Sequence, residues 1–230
     1  LYSSIESWGP RATYTRNGLN LDLFEENIAT VMGELAHQRV EKFSGIMIMN
    51  TFNIMAVTSY TEFLQKVLDW REQFQNGKEY PKIMFDIPHC TEPNHWTLLG
   101  LPDDYDQYFD ITTEFIQKYR WTKNWQKFPS AQHDQAYSNY FSEEEYSAWN
   151  RVVTVWKDIV QKRSKVNTES WIGPREIDDA RRNWFLFINA TDKRRKTDFV
   201  EIFPEMKDYY ELCSSLYNIE TMEYNKEVKQ

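Results

Sequence analysis

Ile46-Met47-Ile48-Met49 is an apolar run with no polar alternation. A strand with one wet face alternates, whereas a strand covered on both faces does not, so the run points to a parallel sheet. Ile83-Met84-Phe85 repeats the pattern and is closed by Pro88, and residues 1–6 (Leu-Tyr-Ser-Ser-Ile-Glu) read as an earlier strand. Trp8-Gly9-Pro10 then reads as a turn or loop. Asn20 is placed to cap a helix in which Leu21, Phe24, Ile28, Val31, Met32 and Leu35 form one apolar face. Ser59 and Glu62 have capping-box spacing ahead of Phe63, Leu64, Val67, Leu68 and Phe74, with Asn76-Gly77 ending that helix. Strand, helix, strand, helix, strand within a hundred residues predicts an α/β fold with parallel strands and right-handed crossovers.

Three strands leave a sheet edge that other strands or a partner must cover. The fold expected is therefore a partial parallel (β/α) barrel of three βα units over residues 1–102, followed by a mainly α-helical C-terminal region over 103–230. In that region Tyr108, Phe115, Ile116 and Tyr119 mark one helix. Ser142-Glu143-Glu144-Glu145 forms a second capping box ahead of Tyr146, Trp149, Val153, Trp156 and Val160. Pro174 suits a first helical turn before Ile177, Trp184 and Phe187. Thr197 to Tyr210 holds a helix broken at Pro204, and the polar tail from Glu220 is expected to fray. Trp8-Gly9-Pro10-Arg11 and Trp171-Ile172-Gly173-Pro174-Arg175 echo one another too briefly to be a repeat.

The formal net charge of −8 argues against a nucleic-acid surface. The basic run Lys193-Arg194-Arg195-Lys196 reads as a solvated turn or helix end. No stretch is long and apolar enough to span a bilayer and no secretory signal is visible, so a cytoplasmic location is expected. Two cysteines, Cys90 and Cys213, suit a reducing compartment. Phosphate-binding glycine loops, dinucleotide fingerprints and the Gly-x-Ser-x-Gly elbow do not occur. Of His37, His89, His95 and His133, only His89 and His95 gather in sequence, with Cys90 and Glu92. Their spacing matches no standard zinc pattern, and a polar loop with one free thiol explains them better than a metal set or a nucleophile. Aromatic residues make up 16% of the chain, which suggests large contact surfaces.

In parallel α/β folds, ligands sit at the carboxyl ends of the strands. Those ends carry Ser4 and Glu6, then Asn50, Thr51 and Asn53, then Asp86 and His89, while Arg16 stands in the loop after the first strand. An Arg fork matches a carboxylate, and a Glu accepts from an ammonium or hydroxyl.

Ser4-Ile5-Glu6-Ser7-Trp8-Gly9 through Tyr14-Thr15-Arg16-Asn17-Gly18 resembles the middle of radical S-adenosylmethionine enzymes, in particular the SPASM/twitch branch, including forms in phages and marine bacteria. Asn50-Thr51-Phe52-Asn53, Thr58 to Leu64, Phe85-Asp86-Ile87-Pro88, Leu101-Pro102, and Thr191 to Arg195 with Asp198 to Glu205 are similar to later segments of the same group. The resemblance implies reductive cleavage of S-adenosylmethionine at a [4Fe–4S] cluster to a 5′-deoxyadenosyl radical. It further implies that Ser4 and Arg16 contact S-adenosylmethionine, with Asn53 a weaker contact and Glu6 lining the pocket. The substrate class stays open between peptide and small metabolite. The family's Cys-x3-Cys-x2-Cys motif is absent, and a cluster needs several thiolates in one site. The chain opens at Leu1 inside what reads as a strand, so these residues are expected to be the later part of such an enzyme, inactive alone. Two competing readings are a non-catalytic helix-rich binding module using its aromatic surface, and a transferase or hydrolase using His89 and Glu92.

Overall fold

A computed structural model describes residues 1–38, 45–75, 82–121, 140–166 and 169–227. Asn76-Gly77 and His133 lie outside the described residues, as do the side chains of Leu35 and His37. The chain forms two compact units that interleave in sequence. The first comprises Leu1–Phe52, Ser59–His89 and Gln107–Val153, and the second Asn53–Thr58, Cys90–Asp106 and Thr154–Gln230.

The first unit is built on a three-stranded, all-parallel sheet of order β1 (Tyr2–Ser4), β2 (Gly45–Met49), β3 (Lys82–Asp86). Tyr2 pairs with Met47 and Ser4 with Met49, while Gly45 pairs with Lys82 and Met49 with Asp86. The apolar runs are buried as their lack of alternation predicts: Ile46, Ile48, Ile83 and Phe85 are all at most 3% exposed. Gly45 has φ +145°, and a Cβ there would lie 1.9 Å from the Lys82 carbonyl oxygen, so only glycine lets the two strands begin side by side. The sheet and its crossovers are α/β as expected. Among the described residues there are three strands and no closed barrel.

Helix α1 (Gly9–Thr15) corrects the loop reading of Trp8-Gly9-Pro10. Proline lacks an N–H, but in a first helical turn none is needed, so Pro10 starts the helix instead of breaking the chain. Helix α2 (Leu21–Gln38) begins as the sequence indicates, with the Leu23 N–H donating to Asn20 Oδ1 at 3.0 Å. Helix α3 (Tyr60–Trp70) buries Tyr60, Phe63, Leu64, Val67, Leu68 and Trp70. Its expected capping box does not form. A 3₁₀ turn, Val57–Ser59, runs straight into the helix, and such a lead-in can serve the first N–H groups from its own carbonyls. Ser59 makes no capping bond, and Glu62 instead accepts from Arg11 Nη1 at 2.5 Å.

Helix α4 (Asp106–Lys118) from Gln107 onward, and helix α5 (Glu143–Ser164) as far as Val153, complete the first unit. Here the second capping box does form: the Glu145 N–H donates to Ser142 Oγ at 3.2 Å, and the Ser142 N–H to Glu145 Oε2 at 2.9 Å. The other Glu145 oxygen accepts from Arg71 Nη2 at 2.5 Å and from the Phe85 N–H of β3 at 3.2 Å. Arg71 also donates from Nε to the Ile83 carbonyl and from Nη1 to the Tyr140 carbonyl, both at 2.9 Å. This ion pair is almost fully buried, and its polar atoms find partners on strand, loop and helix. Around it, Phe52, Tyr60, Phe63, Phe85, Phe141 and Trp149 form the aromatic core.

In the second unit, α6 (Pro174–Arg195) starts with its proline in the first turn. It packs on α8 (Lys207–Glu227) through Trp184 on Tyr209, ring centres 4.8 Å apart, and Phe185 on Tyr210 at 5.3 Å. The tail expected to fray continues in helix to Glu227. Lys193-Arg194-Arg195 forms the last turn of α6 and Lys196 closes it in the left-handed conformation, φ 57°. Asp192 then holds the corner, accepting from Thr197 Oγ1 at 2.7 Å and the Phe199 N–H at 2.9 Å. The short α7 (Phe199–Ile202) is capped by Asp198, and Pro204 opens a 3₁₀ turn before α8. Arg163 and Arg181 clasp the turn at residues 98–101, Arg163 Nη1 donating to the Leu101 carbonyl at 2.7 Å and Arg181 Nε to that of Gly100 at 2.8 Å.

Candidate functional site

The parallel sheet brings the carboxyl ends of β1, β2 and β3 to one rim, and the residues singled out in the sequence can be placed on it. Ser4 ends β1 and is exposed; its hydroxyl makes no hydrogen bond among the described residues. Two residues on, Glu6 meets Arg16, which stands at the C-terminal end of α1. Arg16 Nε donates to Glu6 Oε2 at 2.6 Å and Nη2 donates to Glu6 Oε1. The Glu6 side chain is 12% exposed and that of Arg16 37%. The carboxylate hydrogen bond outweighs desolvation and raises the Arg16 pKa further above its ordinary value, so the guanidinium carries its charge throughout the physiological range.

A guanidinium offers two bidentate edges, one formed by Nε and one Nη, the other by the two Nη groups. Glu6 takes the Nε–Nη2 edge. The Nη1–Nη2 edge has no hydrogen-bond partner among the described residues and belongs to the half-exposed side of the pair. Glu6 is thus largely committed to Arg16, and its part in a site is to orient that fork.

Asn50, at the end of β2, is completely buried. Its backbone N–H donates to the Asp86 carbonyl at 2.9 Å and its Nδ2 to the Ile5 carbonyl at 2.8 Å. The pairing of β2 with β3 persists past the strands, through the Phe52 N–H donating to Pro88 at 2.7 Å and a bridge between Phe52 and His89. Asp86, ending β3, accepts from the Ile87 N–H at 2.9 Å and from Arg151 at 2.8 Å. Tyr60 is buried, and its pKa is raised well above the usual range by burial first, then by the charges of Glu145 and Asp86. Asn53 falls in the second unit, where its Oδ1 accepts from the Met55 N–H at 2.9 Å and shapes the turn that its own carbonyl closes onto Ala56.

The His89-Cys90-Glu92-His95 stretch does not converge. Among the described residues, no three His, Cys, Asp or Glu side chains are grouped to hold a metal ion. Cys90 donates to the Glu92 carbonyl, and burial pushes its thiol up. His95 leans on Phe187, ring centres 5.8 Å apart, and burial lowers its pKa. Cys213 is buried and its thiol is pushed up to about 12, chiefly by desolvation. A thiol held neutral in this way is a poor cluster ligand, because the thiolate is the ligating form. With Cys90 as the one other cysteine, the residues present do not fit a [4Fe–4S] cluster.

The described aromatic residues divide between the core and partly exposed positions. Trp70, Trp149, Trp156 and Trp184 are each 1% exposed, whereas Trp171 is 37% exposed. An open groove of about 700 Å³ runs along α3 and α4 in the first unit, lined by Trp8, Lys66, Glu114 and Phe115 among others and by none of the strand-end residues. Lys66 is already engaged there, over the Trp8 ring at 4.8 Å and paired with Glu25.

No helix among the described residues is long and apolar enough to cross a membrane. Comparison with protein-family models, with curated proteins and with solved structures finds no match.

Proposed function

We propose that this chain forms one wall of the S-adenosylmethionine pocket in a radical S-adenosylmethionine enzyme, at the carboxyl end of β1. The observation that supports this is the Glu6–Arg16 pair, a guanidinium fixed on one edge by its own carboxylate and open on the other. That edge suits the carboxylate of the methionine moiety, with the exposed Ser4 hydroxyl close in sequence for a second polar contact. The resemblance of the segment from Ser4 to Gly18 suggests the ligand, and the guanidinium edge at the rim supports that reading by its chemistry. Bound at a cluster, S-adenosylmethionine supplies a 5′-deoxyadenosyl radical. In this reading the cluster ligands come from residues other than these 230, the three parallel strands are part of a larger (β/α) barrel, and the α-helical remainder caps it.

The reading is tested by the nucleotide sequence ahead of the Leu1 codon. An open frame encoding Cys-x3-Cys-x2-Cys upholds it, and an in-frame stop followed by a start at Leu1 overturns it. Where the frame is open, the product reconstituted anaerobically should release 5′-deoxyadenosine from S-adenosylmethionine, and Arg16→Ala should lower that release at least tenfold by weakening binding. The alternative is a binding module with an aromatic surface: among the described tryptophans, Trp70, Trp149, Trp156 and Trp184 lie in the core, while Trp8, Trp96, Trp121 and Trp171 keep part of their surface exposed.

A further inference from the structure

Asn50 is an amide at 0% exposure, an environment in which an unpaired polar atom is costly. Its Oδ1 has no hydrogen-bond partner among the described residues, so the side chain bears that cost with only its donor in use. The donor goes to the Ile5 carbonyl. That carbonyl belongs to the planar peptide unit joining Ile5 to Glu6, so fixing it fixes the plane from which the Glu6 side chain leaves the backbone. Ile5 is itself 0% exposed and packed in place, and the Asn50 backbone is held to Asp86 on the other side. A continuous set of contacts therefore runs from β3 through Asn50 to the Ile5–Glu6 peptide, on to the Glu6 carboxylate and finally to the Arg16 guanidinium.

We propose that Asn50 is a positioning residue for the ligand-facing edge of Arg16, acting through the Ile5–Glu6 peptide and the Glu6 carboxylate. The ligand part of this inference rests on the S-adenosylmethionine reading above; the coupling of Asn50 to Arg16 does not. Asn50→Leu keeps the size of the side chain and removes the donor. Asn50→Ser is the second variant, too short to reach the Ile5 carbonyl, for use if the leucine variant fails to fold.

Two measurements on the chain decide the matter. In ¹⁵N NMR, the Arg16 Nε–H should exchange with water slowly in the parent protein and about tenfold or more faster in the variant, at a temperature where both are folded. A merely structural Asn50 would lower the melting temperature and leave that exchange unchanged, which overturns the proposal. In titrations with S-adenosylmethionine, Asn50→Leu should weaken binding about tenfold in the parent and not at all in the Arg16→Ala background, because coupled residues are not additive. Equal loss in both backgrounds overturns it. If neither the parent nor Arg16→Ala binds S-adenosylmethionine even with the upstream residues and the cluster present, the ligand assignment fails, and the exchange measurement still decides whether Asn50 holds Arg16.

Discussion

Glu145→Gln is the substitution that should cost most for its size. The glutamine keeps the shape of the side chain and leaves Arg71, 3% exposed, without its counter-ion. Glu145 also accepts the N–H groups of Ser142 and Phe85, and an amide nitrogen placed toward either would present donor to donor. Removing one partner of a buried ion pair costs about 3–5 kcal/mol. Weakening one arm of a capping box adds about 1 kcal/mol at most. The expected loss of about 3–5 kcal/mol is a large share of a typical domain's stability. Urea unfolding followed by circular dichroism gives the total, and hydrogen exchange at the Phe85 amide gives the local part. The double variant Arg71→Met with Glu145→Leu supplies the control, because replacing both partners by apolar groups should cost less than Glu145→Gln alone. A loss under about 1 kcal/mol in Glu145→Gln, or a double variant weaker than the single, would refute this account of the buried pair.

Four further outcomes are expected. Iodoacetamide should label Cys90 in the native protein and leave Cys213 unmodified until unfolding; equal rates at the two sites would show that the burial of Cys213 has been misread. Because the Cys213 thiol is raised in the folded state, its contribution to stability is full below its ordinary pKa and is lost as pH rises through about 12, so Cys213→Ala should flatten the alkaline limb of a stability–pH curve. Gly45→Ala should destabilise by about 2 kcal/mol or more in thermal melts, since a Cβ would strike the Lys82 carbonyl and the φ is unsuited to alanine; an unchanged melting temperature would contradict the close strand approach. Finally, Asp192→Ala should cost more than Asp198→Ala, for which a loss of about 1 kcal/mol is ordinary for a helix cap, because Asp192 secures a side chain and a backbone group on the far side of a turn; the reverse order in urea midpoints would count against Asp192 as the corner's anchor.

The buried strands were legible because a two-sided strand has no polar alternation to conceal it, and Ile46 to Met49 and Ile83 to Phe85 carry that pattern openly. The two capping boxes show where such reading stops. Glu145 divides its two oxygens, giving Oε2 to the Ser142 N–H and Oε1 to Arg71 and the Phe85 N–H, and the box closes. Ser59 and Glu62 have the same spacing, but a 3₁₀ turn leads into the helix and Arg11 draws Glu62 away, a partner 51 positions distant in sequence. Gly-Pro is a turn or loop signal by composition, yet Gly9-Pro10 opens a helix, as Gly173-Pro174 does later. That shared helix start gives the echo between the two segments a local physical reason. At the rim, Glu6 and Arg16 were accessible to sequence reasoning because they flank one short connection. The role of Asn50 was not, since it depends on which carbonyl lies across the sheet. Nor was the Arg71–Glu145 pair, whose members are 74 positions apart.

The interleaving of the two units limits how the molecule can be taken apart. The chain passes between them at 52/53, 58/59, 89/90, 106/107 and 153/154. Severing it at Pro102, where strands give way to helices, would take Phe141, Glu145 and Trp149 from the unit whose sheet they cover and strand Arg71 without an anion. Neither piece would inherit a whole interior, so expression trials of residues 1–102 or 103–230 should yield insoluble protein, and nicked material should hold together until denaturant is added.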